Sequence, residues 1–363
     1  MAKTASANVR PMNVHVAPGS SAEKAFRALA GLPGQPAQPE VIAPGVRPAP
    51  AHDLVFHGGK TISSLLFKNF YVGGAQAWQV SDIQSIDQAL AAAMSDQDLN
   101  NVMVQYFPGK ITSTALPSEI LAGPPPAVVS QTDVENLVRG LYAQNKLAAL
   151  DLTSTVFNFM LPSGTVLNTD TTPAGPAGAR PTATARRRPA IPHDEDDSLN
   201  GLGGYHGSVH ITKAGGGQDT IYYAVGAFSE KLADGSTNGI LAFPQPWKNV
   251  VATFYHELNE ARTDSDISDA IAAGNNPNAT KFLGWTSRQG EECGDFPVFE
   301  ANPLSQVFQE ISLVTGAGKV PVQFQYSNAV HGPEGPIAQP HSPAVHGHKP
   351  AGPGGASASS FAS

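Results

Sequence analysis

The spacing of apolar residues changes several times along the chain, and each change marks an element. Leu65–Val72 is apolar and aromatic and ends at Gly73-Gly74, which predicts a strand. Ile83, Ile86, Ala89, Leu90 and Met94 recur at helical spacing, so Ile83–Met94 is predicted as a helix. Val102, Val104 and Tyr106 alternate, which predicts a strand over Asn101–Phe107. Val134–Leu147 returns to helical spacing, with Thr132 or Asp133 as its cap. Thr153–Leu161, Tyr205–Thr212 and Thr220–Phe228 read as strands, the last two joined through Gly215-Gly216-Gly217. Pro244 and Pro246 mark the loop before a helix over Asn249–Arg262, which continues or restarts over Thr263–Asn276. Gln306–Val314 is predicted as a last helix and Val320–Tyr326 as a last strand. This order predicts an α+β fold, a sheet with helices packed on it.

Composition places the boundaries. Of 363 residues, 67 are Gly or Pro (36 and 31), concentrated before residue 50, near 162–204 and after about 332. Residues 1–53 therefore read as a disordered Ala/Pro-rich leader, with room for a short helix near Ala22–Leu32. Residues 54–330 form a single domain with a flexible insertion at about 165–202, and 331–363 form a disordered His/Pro/Gly tail.

Charge and cysteine content narrow the partners. The net charge is −8, and the one basic run, Arg186-Arg187-Arg188, is followed by Asp194-Glu195-Asp196-Asp197. That is a self-neutralising linker, so no nucleic-acid partner is expected. No run of eighteen apolar residues exists, so no membrane span is expected. The N-terminus lacks the apolar core of a secretory signal, and Cys293 is the sole cysteine, so a cytoplasmic location is the default reading. Oligomeric state is not legible in the sequence. Neither a phosphate-cradling glycine loop nor a Gly-x-Ser-x-Gly elbow is present.

The chemistry concentrates in His256-Glu257-Leu258-Asn259-Glu260. On a helix, Val250, Val251, Phe254, Leu258 and Ala261 form one apolar stripe. His256 and Glu260 stand one turn apart on the other side, where a cleft is expected. An imidazole and a carboxylate so placed can share one divalent ion, zinc being the expected cofactor and another divalent metal the alternative. Glu257 beside them is the candidate general base. The third ligand is sought in Glu291-Glu292-Cys293-Gly294-Asp295: Asp295 first, Glu292 second, Cys293 third. His206 and His210 share a strand face but lie too far apart for one ion, which points to structural or cleft-lining roles. His57 reads as a cleft or turn residue, and His331, His341, His346 and His348 lie in the tail.

The segment Asn249–Asp264 resembles the His-Glu-Leu-x-Glu segment of the phosphate-induced, or EXORDIUM-like, proteins. Phe56-His57-Gly58-Gly59, Gly204-Tyr205-His206-Gly207, Tyr222-Tyr223-Ala224-Val225-Gly226 and Glu292-Cys293-Gly294-Asp295 are similar to further stretches of that family, in order. The resemblance implies a zincin-like mixed sheet and an extracellular setting, without a settled activity. The single cysteine, the missing signal and the Arg/Asp-rich insertion depart from the plant members.

Three functions remain open on the sequence. One is a zinc-dependent hydrolase, a metallopeptidase acting on a peptide or protein substrate, with His256, Glu260 and Asp295 as ligands and Glu257 as base. The second is a non-catalytic binding or signalling protein with a structural metal. The third is a metal-free domain whose His-Glu helix is a solvated surface.

Overall fold

The computed structural model describes residues 13–30, 43, 45–169, 197–213, 215–274 and 279–343. Six strands build one mixed sheet: β1 (Val14–Val16), β2 (Ser64–Tyr71), β3 (Thr112–Ile120), β4 (Thr155–Met160), β5 (Leu202–Thr212) and β6 (Gln218–Gly226). Their order is β1-β5-β6-β4-β2-β3. Strands β3, β2, β4 and β6 are parallel, whereas β5 runs antiparallel to β6 and β1 antiparallel to β5. The α-helices are α1 (Ser21–Ala30), α2 (Val80–Ser95), α3 (Gln97–Met103), α4 (Gln131–Ala143), α5 (Pro246–Thr263), α6 (Ile267–Ala273) and α7 (Asp295–Glu300). A separate hairpin pairs β7 (Phe308–Ser312) with β8 (Lys319–Gln323). The fold class is thus mixed α and β, a mixed sheet with helices packed on it.

Parallel strands demand cover on both faces, because their crossovers lay helices there. In β4 every residue is buried. Val156 and Met160 point into the core shared with α2 and α5, while Phe157 and Phe159 point into a second core shared with α4. Strand β6 repeats this, with Tyr222 and Ala224 on the first side and Ile221, Tyr223 and Val225 on the second. Helix α4 starts at a capping box in which Ser130 and Asp133 satisfy each other's backbone N–H groups. The cap thus lies just upstream of the Thr132 or Asp133 expected.

Helix α5 determines where the chemistry goes. One flank packs on β4, β5 and β6, and the others meet α2 and β8. At its C-terminal end, the buried Arg262 donates to the carbonyls of Ser63 (3.1 Å) and Thr112 (2.9 Å), tying the helix to the strand starts of β2 and β3. Every residue from Asn249 to Thr263 is buried. The expected arrangement, one buried stripe opposite a cleft or a solvated face, is therefore corrected: the side expected to be open meets β5 at Glu257, the turn into α7 at Glu260 and β8 at His256.

Three other expectations change. Asn101–Phe107 is not a strand: Asp96 caps the Asp98 and Leu99 N–H groups at 3.0 and 3.1 Å and starts α3, which passes into a 3-10 turn at Val104–Tyr106. Gln306–Val314 is not a helix but holds β7, because Leu313 to Gly318 turns the chain back on β8. The leader expected over 1–53 is ordered in its described residues: β1 pairs with β5, and His52 is buried. Of the expected tail, Gly332–Glu334 is ordered and pairs with Gln325–Ser327. Most of the expected insertion, residues 170–196, lies outside the described residues, as do His346 and His348. Among the described residues no helix is long and apolar enough to cross a membrane.

Candidate metal centre

Three segments far apart in sequence meet against α5. The helix contributes His256, Glu257 and Glu260. Strand β5 contributes His206, the turn before α7 contributes Glu292, the first residue of α7 is Asp295, and β8 contributes Gln323. All seven side chains are 0–1 % exposed. Two glycines allow this closeness. A β-carbon on Gly294 would collide with the His256 ring and stand 2.9 Å from Glu260 Oε1, and one on Gly204 would meet Thr253 at 2.9 Å and Glu257 at 3.1 Å.

His256, Glu260 and Asp295 each have one atom fixed from outside and another without a partner. The Gln323 amide nitrogen donates to the Gly294 carbonyl at 2.7 Å, which turns its oxygen toward His256 Nδ1 at 2.8 Å. His256 must then carry its proton on Nδ1, leaving the Nε2 lone pair facing Glu260. Glu260 Oε1 accepts from the Gly294 N–H at 3.0 Å, and Asp295 Oδ2 accepts from the Glu292 N–H at 2.8 Å. His256 Nε2, Glu260 Oε2 and Asp295 Oδ1 are buried without a hydrogen-bond partner. Imidazoles and carboxylates held from behind in this way are typical of metal ligands supported by an outer shell.

The spacing agrees with that reading. His256 Nε2 and Glu260 Oε2 are 3.0 Å apart, and one atom each of His256, Glu260 and Asp295 lie mutually within 4.8 Å. Two donors of one tetrahedral zinc ion stand roughly 3.3 Å apart. Two lone pairs facing each other at 3.0 Å repel unless a proton or a cation lies between them.

Electrostatics point the same way. Burial pushes His256 down to about 4, against the pull of Asp295 and Gln323. Burial, and then His256, push His206 down to about 3, with the Asp264 backbone pulling up. Both rings are therefore neutral, and the 3.0 Å His256–Glu260 contact is not an ion pair despite its length. Burial raises Glu257, Glu260, Glu292 and Asp295 well above the usual carboxylate range, and Glu260 pushes the other three up further. A divalent cation inverts this balance, because it binds ionised carboxylate and neutral imidazole.

The expected residues His256, Glu260 and Asp295 thus come together, with Glu257 beside them. Glu292 lies in the same chamber but faces His206, its Oε1 3.6 Å from His206 Nε2. Cys293 is turned away: its thiol donates to Gln325 Oε1 at 3.3 Å and lies 3.6 Å from the Thr263 hydroxyl, and it belongs to none of the donor groups.

Sequence reasoning gave His206 a structural or cleft-lining role and missed His15 and Gln323. His206 Nδ1 lies 3.1 Å from Glu257 Oε2, while His210 is engaged elsewhere, 2.7 Å from Asp269. The signal for His206 was the small-polar face of β5, where Gly204, His206 and Ser208 turn toward α5. His15 packs its ring on His256 with centroids 3.9 Å apart. It stood inside the expected leader, so nothing flagged it. His57 meets Thr286 Oγ1 at 3.1 Å, as a turn residue would.

No protein-family model, curated protein or solved structure matches the chain, so the site is read from its own geometry.

Proposed function

We propose that this chain is a metalloprotein that binds a divalent cation, zinc by donor type, through His256, Glu260 and Asp295. The convergence of their unpartnered Nε2, Oε2 and Oδ1 atoms in a buried chamber carries the reading. The reading includes a zincin-like fold, supported by the His-Glu helix lying along a mixed sheet, as the EXORDIUM-like resemblance implies.

Access favours a structural and binding role for the ion. Structural zinc sites are closed, whereas catalytic ones keep a position open to solvent and substrate. Here the donors are 0–1 % exposed. An ion at this place joins α5 to the α7 turn, and β8 holds the same histidine from behind. Its loss frees three segments at once.

A second reading, a metal-dependent hydrolase acting on peptides, is favoured by one atom: Glu257 Oε1, buried beside the ligands and unpartnered. Bound zinc would supply Lewis acidity there. Glu257 would take a proton at Oε1 from an attacking water, and His206, 3.1 Å from Oε2, would orient it.

Metal analysis of the purified full chain tests both. Near-stoichiometric zinc that is absent in His256→Ala supports the proposal; no metal in the wild type overturns it. Glu257→Gln then separates the readings. Unchanged zinc with peptidase activity abolished supports the hydrolase, and an unchanged rate removes it.

A further inference from the structure

The chamber contains more donors than one ion can use. His206 Nε2, Glu257 Oε1 and both carboxylate oxygens of Glu292 are also buried without hydrogen-bond partners. A buried polar atom left unpaired costs about 1–3 kcal/mol, and more when charged. Four such atoms beside an already sufficient ligand set require an explanation.

Their placement supplies one. Besides His15–His256–Glu257, which shares His256, the donors fall into two groups, His256–Glu260–Asp295 and His206–Glu260–Glu292, each with atoms mutually within 4.8 Å. Glu260 is the member common to both. Its free Oε2 lies 3.0 Å from His256 Nε2 and 3.8 Å from His206 Nδ1, between the two halves. A carboxylate so placed is the usual bridge of a two-metal site, whose ions stand about 3.5–4 Å apart.

We propose that the chamber holds two divalent cations, the second bound by His206 and Glu292 and joined to the first through Glu260. This rests on the reading of His256, Glu260 and Asp295 as the first site. Charge agrees: Glu257, Glu260, Glu292 and Asp295 bring four negative charges when ionised, and two divalent ions balance them. With one ion, two of the carboxyls must either keep their protons or stand uncompensated in a region closed to water, which costs several kcal/mol per charge. The donor set, imidazole and carboxylate without thiolate, suits zinc, manganese or ferrous iron. Glu257 Oε1 is the remaining donor, able to complete either ion's shell.

The test is metal stoichiometry of the full chain by native mass spectrometry, after loading with zinc and separately with manganese. Two ions per chain are expected, falling to one in His206→Ala and in Glu292→Gln. The manganese-loaded wild type is also examined by electron paramagnetic resonance. An exchange-coupled pair is expected, a signal that an ion held on the C-terminal histidines does not give. This readout needs no variant, so a misfolded mutant leaves the test intact. A single ion, or two ions without coupling and unchanged in Glu292→Gln, overturns the second site and leaves the first standing. No ion at all overturns both.

Discussion

Removing the metal should make the protein lose stability with rising pH in a way the loaded protein does not. Glu260 has a donor oxygen within 4.8 Å of one on Glu292 and one on Asp295, and at an effective dielectric near 20 each such pair of charges repels by about 3.5 kcal/mol. Without a cation the folded chain avoids that repulsion by keeping protons on these carboxyls, whose affinity for protons is raised by burial and by one another. A carboxyl raised in the folded state contributes stability below its unfolded range near 4, and that contribution is lost as pH rises. The neutral histidines work in the opposite direction. His206 and His256, lowered to about 3 and 4, gain stability as pH rises to their unfolded value of 6.5. The window above about pH 6.5 is therefore free of them. From about pH 6.5 to 8, each proton kept by the folded but not the unfolded chain costs about 2 kcal/mol of stability. In a domain of this size that is a fall of about 4–8 °C in Tm per proton. Thermal melts of chelated and zinc-loaded protein across this window measure it. The chelated Tm should fall steeply and the loaded Tm should not. Parallel curves would refute the reasoning, because they would mean that the carboxyls titrate alike with and without metal.

Three further outcomes follow from the packing. Gly294→Ala places a methyl against His256 and Glu260; it should cost about 1–3 kcal/mol in denaturant unfolding and lower zinc occupancy. A variant with full occupancy would show that the turn can move aside. Arg262→Met removes the charged donors to the Ser63 and Thr112 carbonyls, at about 1.5–3 kcal/mol each, yet touches none of the metal-donor candidates. Its stability should drop while the metal content of the folded fraction holds. Cys293 is buried, and burial pushes its thiol well above the usual range, so a thiol reagent should label it only at the rate of unfolding. Rapid labelling of native protein would contradict the closed chamber.

The sheet and the His-Glu helix were legible because both obey a local period. Strand β4, buried on both faces, reads as an apolar run, and α5 repeats apolar residues over four turns. Asp295 was reachable because a glycine beside an acidic residue signals a turn that can approach a helix closely. The closure of the site was not legible. It depends on the β7–β8 hairpin, and Phe308 and Ile311 stand three apart, a spacing that a helix and a pairing strand both accommodate. Reading that segment as a helix removed the second cover from α5, and a cleft was inferred where the chain is closed. His15 escaped for another reason: a strand of three residues carries too short a pattern to show which side faces the chamber.

Strand β1 has a consequence beyond the histidine it carries. It is three residues long, and among the described residues it alone lies along the outer side of β5 in the sheet. An unpaired strand edge is a template for another chain. Loss of β1, by proteolysis or by truncation near residue 20, would expose backbone donors and acceptors of β5 along the stretch Leu202–Tyr205 that β1 now covers. The sheet would then be open to strand addition, by a second copy or by an extended peptide, one residue away from His206. Self-association and the integrity of the buried centre are thereby linked through a single short segment at the start of the chain.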